Sequence, residues 1–296
     1  LLPFCLLLII WCGAFLLAVT PIILLQPKTM VETYILYACV PILFLLLFIS
    51  IAAGLSRFAQ RGIIAGTFPR DPFHPVYLLR RIYGICWTQV FYFKPLYAIA
   101  LSIPLLKKYL FRAFGYRGNT DFVIYPDTWI RDLPLLNIGK GAYLSNRATV
   151  GTNICLPAGT ILVDAIEMEE QSLVGHLTVL APGVKIGRKV EIGVCSTIGI
   201  RTKLAIGSKV NPCCAINHGV VIGEEARVGS MSYIGVKTTI GPRLVIPDGA
   251  NIPSGFSLNT QEEVAKFFQE ETRKIDSYVS KLKERLNENL KNENKI

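Results

Sequence analysis

Residues Ile186–Ile240 read IGRKVE IGVCST IGIRTK LAIGSK VNPCCA INHGVV IGEEAR VGSMSY IGVKTT I. Each block of six opens on Ile, Leu or Val. Carried outward in both directions, the rule holds from Ile138 to Ile252, twenty consecutive large aliphatics once Met168 is included. The fifth place is Ala, Ser, Thr, Val or Cys except at Ile154, Ile166, Leu244 and Phe256, and the place after the aliphatic is Gly in ten of the twenty blocks. Neither a helix of period 3.6 nor a strand of period 2 produces this pattern, which is the hexapeptide signature of an all-β parallel β-helix.

Three blocks close one triangular coil, and coils stack at the strand spacing of ~4.8 Å. The aliphatic and the small residue point inward, the third place outward. Gly, or Asn211, Asn217, Pro247 and Pro253 in variant blocks, is expected to serve a corner where an ordinary side chain would strain the backbone. Twenty blocks predict six to seven coils, and the unbroken register predicts that no long loop leaves the stack.

The chain before the repeat is different material. Residues 1–25 and 34–55 carry no charged side chain, and each stretch is long enough to cross an apolar core of ~30 Å as a helix. With only a short loop between them they read as a transmembrane α-hairpin over 1–56. A pair of core helices in a soluble protein is the bland alternative, disfavoured because neither segment has a polar face. A cleaved leader fails for the second segment, and the first lacks a basic start. Leu1 is not an initiator, so the chain is expected to begin inside a longer one.

Residues 57–120 form a basic, aromatic connector with ten Lys or Arg against one acid, Asp71, giving +9 of the chain's net +10. By the positive-inside rule the repeat, over 121–258, faces the cytoplasm, making this a multi-pass protein of the cell (inner) membrane. The basic flank is expected to attract anionic lipid head groups at ~1 kcal/mol per charge. Trp87, Phe91, Tyr92, Phe93 and Tyr97 among these charges suggest an interfacial aromatic belt more than a nucleic-acid surface. Over 259–296, Phe268, Ile275, Val279, Leu282 and Leu286 recur at helical spacing. This predicts an amphipathic C-terminal helix that either caps the last coil or self-associates.

Eight cysteines, with no CxxC pair, form no disulfide framework or metal set. Cys214 takes an inward place, so packing is its expected job. Of three histidines, His176 and His218 stand at the outward third place of their blocks, while His74 lies in the turn-rich connector. They are seven blocks apart, too far to act as one pair within a single solenoid. Against a functional role stands the reading of an exposed polar residue as surface decoration.

The repeat resembles that of the hexapeptide-repeat transferases, which implies a left-handed β-helix acting as a trimer. Ile216-Asn217-His218-Gly219 ahead of Ile222-Gly223 is similar to the His-containing block of the acyl-chain transferases of lipid A synthesis and of sialic-acid O-acetyltransferases. That resemblance implies His218 as general base; His176, at the same outward place, is the second candidate, and Asn217, Glu224 and Glu225, near His218 in sequence, are candidate orienting or substrate-binding groups. The implied reaction moves an acyl or aminoacyl group from a pantetheine thioester to a hydroxyl or amine. The donor would be acetyl-CoA or acyl-CoA, or a carrier-protein phosphopantetheine thioester, with no metal, since a zinc site would need a third imidazole in the repeat.

A second resemblance runs from about Phe68 to Pro253. Pro95-Leu96-Tyr97-Ala98, Leu110 to Gly118, and Arg131-Asp132-Leu133 leading into Asn137-Ile138-Gly139 look like the membrane-bound terminal module of poly-lysine-synthetase-type nonribosomal peptide synthetases. It implies an acyl or peptidyl carrier protein as partner, beside the homo-trimer or pseudo-trimer expected of the repeat. The non-enzymatic rival is a β-helix that scaffolds such a biosynthetic partner at the membrane.

Overall fold

The computed structural model describes residues 2–157 and 159–293, with side chains described as far as 286. Two apolar helices come first, α1 (Leu2–Leu25) and α2 (Met30–Arg57), each long and apolar enough to cross a membrane. Thr29 and Glu32 cap α2 reciprocally, the hydroxyl accepting from the Glu32 N–H and the carboxylate from the Thr29 N–H. Ile10 and Ala14 share a buried cluster with Phe48, Ile49 and Ala52, and the Trp11 ring lies 4.8 Å from that of Phe48.

Three short helices follow: α3 (Pro75–Tyr92), α4 (Lys94–Ser102) and α5 (Pro104–Ala113). Each carries Pro in its first turn, where the missing N–H costs nothing. The aromatics expected as an interfacial belt are mostly core: Trp87, Phe91 and Tyr97 are buried, and only Tyr92 is well exposed. The reason is that the first coil of a solenoid would otherwise leave its apolar interior open. Trp87 closes it with an indole N–H to the Ile130 carbonyl at 2.8 Å, and the Tyr116 hydroxyl accepts from the Ile138 N–H at 3.1 Å.

The repeat forms three seven-stranded parallel sheets, one per face of the prism, so seven coils stack. Ile130, Ile138, Leu144 and Val150 start the interior column, and Ile240, Ile246, Ile252 and Leu258 finish it, all buried. Most partners are eighteen residues apart, as Thr197 is from Ala215. At one step the spacing is thirty: Leu144 pairs with Val174 and Val150 with Leu180. Here the expectation of an unbroken stack is overturned. Strands Asn153–Cys155 and Thr160–Val163 leave the solenoid as an antiparallel hairpin that pairs with Gly66–Pro69. The excess of twelve residues is two whole blocks, so the aliphatic phase survives although Leu156 and Leu162 stand outside the stack.

The corner also differs from expectation. The backbone turns left-handed at the fourth place, as at Gly183, Gly219, Lys189, Cys195 and Met231, and not at the Gly of the second place. That Gly is required by close approach of the next coil: a Cβ on Gly229 would lie 2.4 Å from the backbone of Asp248, and one on Gly235 2.3 Å from that of Ser254. At the far end, α6 (Gln261–Glu293) buries Val264 and packs Phe267 5.2 Å from Phe256 on the last coil. Beyond that first stretch Ile275, Val279, Leu282 and Leu286 are exposed.

Candidate functional site

The three corners of the prism separate the candidate residues. His176 follows the strand Leu173–Val174, His218 follows Ala215–Ile216 and Glu224 follows Val221–Ile222, and these strands belong to three different sheets. His218 and Glu224 flank one side of the prism, a separation of roughly 15–20 Å for six extended residues. Glu224 and Glu225 are therefore out of reach of His218 within one chain.

His218 projects outward as expected and is exposed, but its Nδ1 accepts a hydrogen bond from the Ile200 N–H, one coil back, at 2.9 Å. Ser254 and Asp248 make the same bond at equivalent places, to the Val236 N–H at 3.0 Å and the Ser230 N–H at 2.6 Å. In this geometry the neutral ring carries its proton on Nε2, which then donates. Acting as a base requires the ring to release Ile200 and turn its free lone pair outward. Asn217 points along the stack, its Nδ2 donating to the Ile234 carbonyl at 3.0 Å. His176 is half-buried, and its carbonyl accepts from the Cys195 N–H in the same corner-to-corner ladder. Glu225 holds a left-handed turn, with its N–H on the Ile206 carbonyl.

On the outer face of the third sheet, toward the corner that carries Glu224, lies a cleft of about 320 Å³. It runs over four coils, with Glu167, Lys185, Lys203 and Val221 on its floor and Ile206 and Glu224 along its edge. Lys185 is paired with Glu167 at 3.0 Å. Its neighbour Lys203 has no carboxylate partner among the described residues. Val221 opens this floor three residues after His218, but the imidazole does not line the cleft and stands at the corner opposite the one that carries Glu224. Cys214 packs inside the solenoid, where burial pushes its thiol up.

Two features of the base escaped the sequence reading. Lys107 on α5 is almost fully buried, with Nζ on the Phe122 carbonyl and 4.0 Å from the Phe122 ring centroid; burial lowers its pKa to about 8, against a smaller opposing pull from Asp121. Between α3 and the excursion hairpin lies a cavity of about 350 Å³ rich in arginine. The signals present were Gly84 inside a helix and two large fifth-place residues, Ile154 in the hairpin's first strand and Ile166 just after its second.

No family model matches the chain, and no curated protein does. Among solved structures, LpxA from Acinetobacter baumannii is similar at 13% identity over 48% of this chain and 71% of that one, with a TM-score of 0.28. The acetyltransferase domain of PglB from Neisseria gonorrhoeae, in complex with acetyl coenzyme A, is similar at 17% identity over 53% of this chain and 61% of that domain, with a TM-score of 0.24. Serine acetyltransferase (CysE) from Neisseria gonorrhoeae, in complex with serine, matches at 14% identity over 74% and 72% of the two chains, with a TM-score of 0.20. These are likenesses of fold to hexapeptide-repeat β-helix acyltransferases. None of them supports the likeness to a terminal module of nonribosomal peptide synthetases.

Proposed function

We propose that this chain is a membrane-anchored acyltransferase whose solenoid faces the cytoplasm. It moves an acyl group from a pantetheine thioester, on coenzyme A or a carrier protein, to a hydroxyl or amine. The observation that carries the reading is His218, exposed at the corner that leads into the third sheet, whose outer face bears a long cleft. The cleft suits an extended pantetheine arm, and Lys203 offers a charge to its phosphates. His218 takes the acceptor's proton as the acceptor attacks the thioester carbonyl, and the carbon–sulfur bond breaks to release a thiol. His176 serves a second copy of the cleft only if a neighbouring subunit approaches it. The exposed stripe on α6, with Ile275, Val279, Leu282 and Leu286, fits association into a trimer.

Anchoring rests on α1 and α2. The α4–α5 pair adds Ile99, Ile103, Leu105 and Tyr109, all exposed, as an apolar face at the same end of the molecule. Tyr109 touches α2, its hydroxyl 2.8 Å from that of Ser50.

One observation favours the rival reading of a non-catalytic scaffold that anchors a biosynthetic partner: the His218 bond to Ile200 is one that Ser254 and Asp248 make elsewhere for structural ends. Radiolabelled acetyl-CoA and aminoacyl-carrier donors, supplied separately to membranes with and without the chain, test the proposal. Chain-dependent transfer of label, with release of free thiol, supports the enzyme. Absence of transfer from both donors supports the scaffold.

A further inference from the structure

The arginine cavity lies where the fold departs from a regular solenoid. Its walls are α3, the connector and the excursion hairpin, and Arg70, Arg80, Arg81 and Arg131 line it. Behind it Asp132, fully buried, pairs with Arg80 at 2.5 Å, accepts from the Thr152 hydroxyl at 2.7 Å and lies 3.6 Å from Arg131 Nε. That one carboxylate offsets one of four guanidiniums. Among the described residues Arg70 and Arg81 have no carboxylate partner. Arg80 is 5% exposed and its Nη1 has no hydrogen-bond acceptor, whereas Arg131 Nε faces the likewise unpartnered Asp132 Oδ1 at 3.6 Å. Buried donors left in this state are costly unless a ligand supplies oxygen.

Gly84 leaves room for the Arg131 side chain against α3. A Cβ there would lie 2.6 Å from Arg131 Nη2, so a helix-interior Gly, which costs about 1 kcal/mol against Ala, makes room for the guanidinium to lie on α3. Three uncompensated guanidiniums suit a group carrying two or more negative charges, and acceptor-only oxygens suit their forked donors. A lone carboxylate would leave most of that charge unmatched. The cavity follows α3 from Tyr77 to Thr88, and the next residue, Gln89, accepts from the Trp11 indole of α1 at 3.1 Å.

We infer that this cavity binds the phosphate or diphosphate group of a ligand, held by Arg70, Arg81 and Arg131 over the buried Arg80–Asp132 pair. The inference goes beyond the acyl-transfer reading and does not depend on it. The phosphate belongs either to a lipid that enters beside α1 or to a water-soluble molecule.

The test is calorimetric titration of inorganic pyrophosphate into the full chain in phosphatidylcholine nanodiscs, repeated in nanodiscs that also contain phosphatidic acid. The Arg70→Gln/Arg81→Gln double variant, exposed at both positions and so safe for folding, should bind roughly 10–100-fold more weakly. Arg61→Gln/Arg117→Gln, in a separate basic cavity beside the end of α2, should bind as the parent does. Phosphatidic acid that weakens pyrophosphate binding identifies a lipid phosphate, and equal affinity in both nanodiscs identifies a soluble one. The inference is overturned if pyrophosphate does not bind, if the Arg70/Arg81 variant binds it unchanged, or if the Arg61/Arg117 variant loses as much.

Discussion

Asp132 sits in a left-handed backbone conformation with no exposure, facing Arg80. Its value to the fold is best seen by what its loss leaves behind: an arginine charge sealed in the protein without a counter-ion. Asp132→Ala should therefore destabilise the chain by about 3–5 kcal/mol in chemical denaturation. Asp164→Ala, which breaks a pair whose Arg201 side is exposed and whose Asp164 side is half-buried, should cost about 1 kcal/mol, well below the loss at Asp132. Lys107 makes the opposite case, a charge that the fold holds at a disadvantage. With a folded pKa of about 8 against an ordinary 10.5, the unfolded chain binds more protons between those values, so stability rises with pH across that window. Thermal melts of the parent should show a rise between pH 8 and 10.5 that Lys107→Met lacks. Neither residue was legible in the sequence. Asp132 and Lys107 are ordinary charged residues there, and only the folding of α3 and α5 onto the first coil buries them.

At the scale of elements, the coils were legible because each block repeats the same two inward places, and one core position predicts the next. The excursion hairpin was not, since an insertion of two whole blocks leaves the phase untouched. The one trace is at the fifth place, where Ile154 and Ile166 are large, although Leu244 is as large and stays in the stack. Removing residues 154–165 joins Asn153 to Ile166 and leaves Val150-Gly151-Thr152-Asn153-Ile166-Glu167-Met168, a block of regular length with Asn at the left-handed place, which Asn tolerates, and with Ile166 kept at the buried fifth place it already fills. This shortened chain should keep the solenoid, measured by far-ultraviolet circular dichroism and protease resistance, and should lose pyrophosphate binding. Collapse of the whole repeat would show that the hairpin is instead required for stacking. The burial of Trp87, Phe91 and Tyr97 in the connector was not legible for a related reason. Aromatics among basic residues look alike in sequence whether they line a bilayer or plug a coil, and the open end of the solenoid decides for the plug.

For the molecule as a whole, the parts order themselves along one axis: apolar helices, an aromatic and basic base that seals the first coil, seven coils, and a terminal helix on the last. The candidate histidines were legible by their outward third place, and the structure confirms the exposure of His218. The sequence did not show that the ring is engaged by the coil before it, because that bond depends on the eighteen-residue stacking distance. The central claim is that His218 is a base and not merely a corner brace, and two substitutions at this one position separate the roles. His218→Ala removes both the imidazole and the bond to Ile200. His218→Asn keeps an acceptor for the Ile200 N–H, as Asp248 does for Ser230, and removes the base. The most direct measurement is the rate of acyl transfer by the parent and these two variants in matched membranes, with melting temperatures as the check on folding. The account predicts a loss of ~10²–10⁴-fold in both variants, with Asn as impaired as Ala. Full activity in His218→Asn would contradict it and leave His218 a structural residue of the corner.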